Sequence, residues 1–220
     1  MKIKGGGVKV FLFAIVFVFA VIIAYNILKP QQSLRVYQPA DINPRLVDSS
    51  KQNQFNKHTI SDFTLLNQDS VTVSLEDFKD KIILTDFFFT TCPSICPKMS
   101  ANMATVAEKY EGKEDFVILS HTVTPELDPP HVLKAYAAEY KAPNNWQFLT
   151  GDKAEIYRLA RKSYFAALDE PSKEGPDFVH TENFVLVDKQ GRLRGFYDGT
   201  SSIDTERLIK DIALLYREYE

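Results

Sequence analysis

The stretch Lys81-Ile82-Ile83-Leu84-Thr85-Asp86-Phe87-Phe88-Phe89-Thr90-Thr91-Cys92-Pro93-Ser94-Ile95-Cys96-Pro97 decides the fold. Its first nine residues form a nearly continuous apolar run, the pattern of a strand buried on both faces at the centre of a sheet. Residues 97–110 follow, with Met99, Met103, Val106 and Tyr110 at helical spacing. Pro97 suits the first position of that helix, where its missing N–H costs nothing. This puts Cys96 at or near the N-cap and Cys92 one turn earlier, where strand gives way to helix. Exposed N–H groups and the positive end of the helix dipole stabilise a thiolate there.

Outward from this centre, strands and helices alternate. Phe63–Leu66 and Val71–Val73 read as short strands around Asn67-Gln68-Asp69. Phe116–Ser120 is a second buried strand. A helix over 129–140 starts at Pro129 and Pro130. Trp146–Leu149 is a short strand and Lys153–Arg161 a further helix. Phe184–Asp188 and Leu193–Tyr197 flank Lys189-Gln190-Gly191-Arg192 as a hairpin. Ile203–Tyr216 closes the chain as an amphipathic helix. The expected class is α/β, a mixed sheet flanked by helices. A cysteine at the end of a central strand, entering a helix, sits where a thioredoxin-like fold places one.

The N-terminal part is different in kind. Every residue from Val10 to Tyr25 is apolar or aromatic, and a helix over 8–28 is about as long as a bilayer core is thick. Ala20 and Ala24 make a poor cleavage site, so 8–28 is read as an uncleaved transmembrane anchor after a short tail, 1–7. Lys2, Lys4 and Lys9 before the apolar run are balanced by Lys29, Arg35 and Arg45 after it, which leaves orientation to the chemistry. Residues 29–56 are polar and irregular and read as a linker, with the domain at 57–220. With 22 basic and 29 acidic residues, the segment 30–220 carries a formal charge of −7, which gives it no electrostatic reason to bind nucleic acid.

The chain's two cysteines are Cys92 and Cys96, so all its thiol chemistry is in one place. Their spacing lets the sulfurs form a disulfide or hold one soft metal ion. A disulfide of structural value alone is disfavoured, because so short a loop gives little entropic stabilisation. Two thiolates favour Cu(I), and an imidazole extends the set to Cu(II) or zinc. Of the four histidines, His180 stands just before the strand Phe184–Asp188, after the turn-rich loop 169–176 that could carry it to the cysteine turn. His121 ends the strand beside the cysteine strand and is the auxiliary candidate. His58 and His131 are expected on the surface, and Met99 and Met103 in the core.

Taken together, Thr90, Cys92, Pro93, Cys96 and Pro97, then His180 through Asp188, then Ser120 through Asp128, resemble three motifs of the Sco/SenC family of copper chaperones. The resemblance covers roughly 60–217 and the anchor. One departure is Thr124, where the family pattern has an aspartate; Asp128 is kept. The resemblance implies a thioredoxin-like domain that holds copper through Cys92, Cys96 and His180. It implies delivery to, or reduction of, the binuclear copper centre in subunit II of cytochrome c oxidase. The domain is then extracytoplasmic, on the periplasmic side of the inner membrane in a bacterium. The alternative is a thiol:disulfide oxidoreductase in which Cys92 and Cys96 are the redox-active pair and His180 tunes a thiolate. A peroxiredoxin-like peroxidase is a weaker third.

Overall fold

The computed structural model describes residues 6–28, 33–48, 52–53, 58–167, 179 and 181–220. The chain divides into two units, Met1–Ser33 and Leu34–Glu220. The first contains α1, Gly6–Leu28, a helix of 23 residues, whose side chains are described at 11–24. Among the described residues no helix is long and apolar enough to cross a membrane. The expected span, 8–28, extends beyond the described side chains at both ends.

The second unit is built on a seven-stranded sheet in the order β2-β1-β5-β4-β3-β6-β7. The strands are β1 Thr64–Asn67, β2 Thr72–Ser74, β3 Ile82–Phe88, β4 Phe116–Thr122, β5 Trp146–Thr150, β6 Asn183–Val187 and β7 Leu193–Asp198. The central strands β3, β4 and β5 run parallel, with Ile82 opposite Phe116 and Phe88 opposite Thr122. The hairpin β6–β7 and the pair β1–β2 are added antiparallel at the two sides. The mixed α/β architecture is the one expected. Gly191 adopts φ +74° in the β6–β7 turn, a conformation that favours glycine.

The apolar run of β3 serves two cores because side chains alternate across a strand. Ile82, Leu84 and Phe88 face α2 (Ile95–Lys109), α3 (Pro130–Glu139) and α5 (Ser202–Arg217), meeting Met99, Met103, Leu133, Leu208 and Ile212. Ile83 and Phe87 face the other way, toward Val47, Phe78, and Ile156 of α4 (Lys153–Arg158). Every residue of β3 and of β4 is buried.

Two stretches differ from expectation. The helix expected over 153–161 ends at Arg158 and widens into a π turn, Leu159–Ser163, followed by Phe165 at φ +49°. The segment before β1 grips this turn: His58 Nε2 lies 2.8 Å from the Ser163 carbonyl, and the Ser61 N–H donates to Ser163 Oγ at 2.7 Å. The second stretch is the expected linker 29–56. Its part from Leu34 belongs to the compact unit, with Ile42 and Val47 buried. Buried Arg194 explains this. Its guanidinium donates to the Leu34 and Arg35 carbonyls while pairing with Asp188 and Glu218.

Candidate functional site

The cysteine turn sits at the C-terminal end of β3, the position at which parallel strands offer their loops to a ligand. The helix α2 begins at Ile95, two residues earlier than Pro97 suggests. Pro97 is therefore the third helical residue, still in the first turn whose N–H groups lack intrahelical partners. Ser94 precedes the helix and makes no side-chain cap. The Cys92 sulfur takes that role: the Cys96 N–H donates to it at 3.4 Å. At the other side of the turn the Cys92 N–H donates to the Phe89 carbonyl at 3.3 Å.

Both thiols are free and buried, yet their electrostatics differ. Burial works against ionising Cys92 and is the largest single influence. The N–H groups of Ser94, Cys96 and Ile95, with the Cys96 thiol, together outweigh it and hold Cys92 below the usual thiol range. Burial pushes the Cys96 thiol up to about 12, eased by a hydrogen bond with the Phe89 backbone and reinforced by Cys92 and Asp86. Of the two, Cys92 is the thiol held toward its thiolate and Cys96 the one held toward its protonated form.

On the same side of the sheet, Asp86 is buried and accepts a hydrogen bond from Ser120 Oγ at 2.5 Å; Trp146 Nε1 donates to the same hydroxyl at 2.8 Å. Burial raises the Asp86 carboxyl to about 7 against the opposing effect of Ser120. Sequence reasoning missed Asp86 as part of the site. The signal was a lone acid at even spacing from Ile82, Leu84 and Phe88, on the helix-covered face.

A second carboxylate is more fully satisfied. Asp128, in the loop after β4, is completely buried and accepts from Thr90 Oγ1 at 2.5 Å, the Thr90 N–H at 3.3 Å, Thr124 Oγ1 at 2.9 Å and Thr122 Oγ1. Thr124, the departure from the family pattern, is one of its hydroxyl donors.

The histidines separate. His121 is fully buried but faces the layer opposite the cysteines, stacked on Phe87 at 5.0 Å and bounded by Phe63 and Tyr164. It is not an auxiliary ligand, because strand alternation sends 119, 121 and 123 away from α2. Thr85 Oγ1 donates to the Leu119 carbonyl and lies 3.1 Å from His121 Nδ1, so Nδ1 carries the proton and Nε2 is left without a partner. Burial lowers His121 to about 4. His58, expected on the surface, is half-buried at the π turn, and His131 is exposed. Met99 and Met103 are fully buried core residues.

His180 lies outside the described residues, as does the loop 168–178. Its neighbours Val179 and Thr181 are buried. Thr85 pairs with Val185 antiparallel, so β6 begins at the end of the sheet where β3 meets the cysteine turn. Among the described residues no three His, Cys, Asp or Glu side chains form a group suited to a metal ion. Cys92 and Cys96 do supply two adjacent soft donors, which fit a soft monovalent metal.

Comparison with known proteins gives one answer. A family model described as SCO1/SenC matches residues 51–217. The SCO1 protein homolog of Bacillus subtilis (strain 168) is 38% identical over 159 residues, covering 70% of this chain and 81% of that protein. A solved structure of BsSco superposes with a TM-score of 0.61 at 36% identity, covering 71% of this chain and 92% of that one. BsSco is described as a member of the Sco family of cytochrome c oxidase assembly proteins with a disulfide switch. The copper-bound structure of Bradyrhizobium japonicum ScoI superposes with a TM-score of 0.57 at 27% identity, covering 71% and 99%.

Proposed function

Because the chain belongs to the SCO1/SenC family, we propose that it is a copper chaperone whose cargo site is made by Cys92, Cys96 and His180. The observation that carries the reading is the pair of free thiols at the start of α2, where the Cys96 N–H donates to the Cys92 sulfur. Two such sulfurs suit Cu(I), and the His180 imidazole extends the site to Cu(II). The copper-bound relative from Bradyrhizobium japonicum supports copper as the cargo. Cys92 is the first donor to present a thiolate. Cys96 gives up its proton only as metal arrives, so loading releases protons.

The client in this reading is the binuclear copper centre in subunit II of cytochrome c oxidase. The assignment of BsSco to cytochrome c oxidase assembly supports that class of client. We further propose that 8–28 anchors the protein and holds the domain on the extracytoplasmic side. The 23-residue α1 and the unbroken apolar run from Val10 to Tyr25 support this. A reporter fused after Glu220 tests it, and activity only in the cytoplasm contradicts it.

The second reading, a thiol:disulfide oxidoreductase, is favoured by the inequality of the two thiols. His180→Ala separates the two. The chaperone reading expects Cu(II) affinity to fall by more than about tenfold, roughly 1.4 kcal/mol, with Cu(I) affinity little changed. The redox reading expects disulfide exchange to survive and cells lacking the protein not to be rescued by added copper.

A further inference from the structure

We propose that Asp128 and Thr90 form a positioning clamp that sets the place of the Cys92 sulfur over the first turn of α2. The inference rests on the reading that Cys92 and Cys96 are the working pair.

The cysteine turn is anchored to the core through Cys92, Cys96 and the partly buried Phe89 and Ile95. Thr91, Pro93, Ser94 and Pro97 are all exposed, and only the two cysteines are buried. Its helix side is tied by the Cys96 N–H to the Cys92 sulfur. On its strand side, where β3 ends at Phe88, the Cys92 N–H bonds the Phe89 carbonyl, and Thr90 adds a tie to the neighbouring loop. Thr90, two residues before Cys92, offers both its N–H and its hydroxyl to Asp128. Next to this the Val123 N–H donates to the Phe88 carbonyl at 2.8 Å, fastening the two loops together.

A buried carboxylate is costly unless its oxygens are satisfied. Here Thr122 and Thr124 complete the set from the β4 side, and both Asp128 oxygens accept. Hydrogen bonds to a charged acceptor are the stronger kind. Asp128 thus spans from the loop after β4 to Thr90, two residues before Cys92. A sulfur displaced by about 1 Å loses its alignment with the N–H groups of Ser94, Ile95 and Cys96, and site geometry is sensitive at that scale. Asp128 touches neither sulfur; it acts through Thr90.

The test uses the full chain in detergent, without metal, equilibrated with reduced and oxidised glutathione. Thr90→Val keeps the shape and removes the hydroxyl, Thr90→Ser keeps the hydroxyl, and Asp128→Asn removes the charge. Thr90→Val and Asp128→Asn should shift the Cys92–Cys96 equilibrium toward the disulfide by about tenfold or more, because the reduced form loses its N–H contacts. Thr90→Ser should stay within about threefold of wild type. The inference is overturned if Thr90→Val and Asp128→Asn only lower the denaturation midpoint and leave the equilibrium within about twofold. It is also overturned if Ser and Val at 90 behave alike, or if the wild-type pair never oxidises. If Asp128→Asn does not fold, Thr90→Val still decides. Failure of the wild type to take up copper would remove the chaperone reading but not this inference, since the measurement contains no metal.

Discussion

The Cys96 N–H points at the Cys92 sulfur across 3.4 Å, so one cysteine caps the helix that carries the other. The contact makes the two thiols unequal. Both lie in the core cluster with Phe88 and Met99, but first-turn N–H groups outweigh burial at Cys92, whereas burial prevails at Cys96. The electrostatics thus favour a thiolate at Cys92 over one at Cys96.

The inequality predicts an order of modification. At pH 7 a brief pulse of iodoacetamide should label Cys92 and leave Cys96 largely untouched, since Cys96 reaches its thiolate only near 12. Peptide mapping by mass spectrometry reads the order. Equal labelling, or Cys96 first, would contradict the assigned electrostatics.

Asp86 predicts a penalty that grows with pH. In the fold it keeps its proton until about 7, whereas its unfolded value is near 3.8. The unfolded chain releases that proton first, so stability falls as pH rises from about 4 to about 7. The difference amounts to at most about 4 kcal/mol. Asp86→Asn keeps an acceptor for Ser120 and removes the titration. It should match wild type near pH 4 and exceed it near pH 8 in urea denaturation. A constant offset across pH would count against a raised Asp86.

His121 has the opposite slope. Its folded value is about 4 against 6.5 unfolded, so the unfolded chain takes up the proton first as pH falls. Stability from this group is complete above 6.5 and is lost toward 4, by about 3 kcal/mol. His121→Phe retains an aromatic ring against Phe87 and should flatten that acid limb. An unchanged pH slope would mean that His121 titrates alike in the folded and unfolded chain, with no lowering by burial. The two groups partly cancel between pH 4 and 6.5 in wild type, so the variants must be compared with it curve by curve.

Much of this was legible in the sequence. The nearly continuous apolar run in 81–89, the turn at 189–192 and the helical spacing after Pro97 placed β3, the β6–β7 hairpin and α2 in order. The start of α2 was read two residues late because Pro97 is tolerated anywhere in the first turn, not only at its first position. The π turn at 159–163 was not legible, since it depends on His58 and Ser61, about a hundred residues away in sequence. His121 looked available because it ends a strand beside the cysteines. Only the pairing of β3 with β4 reveals that its face is the wrong one. The packed part of the supposed linker was hidden by its polar composition, because what holds it is a distant arginine.

That arginine makes a prediction of its own. Arg194 is buried with Asp188 and also pairs with Glu218 and the Leu34 and Arg35 carbonyls. Arg194→Ala leaves a buried carboxylate short of a partner and should cost about 3 kcal/mol or more. Hydrogen exchange should also quicken at the Leu34 and Tyr37 amides, which bond Glu218 and the Leu193 carbonyl. Retained protection at both amides would show that the segment is held by packing instead.

The most direct test of the central claim is anaerobic copper titration of the full chain in detergent, reduced and then oxidised. The account predicts one Cu(I) per reduced chain, none once Cys92 and Cys96 are joined as a disulfide, and loss of tight binding in Cys92→Ser and in Cys96→Ser. A reduced wild-type protein that exchanges disulfides rapidly but takes up no copper would contradict the chaperone reading and leave the oxidoreductase in its place.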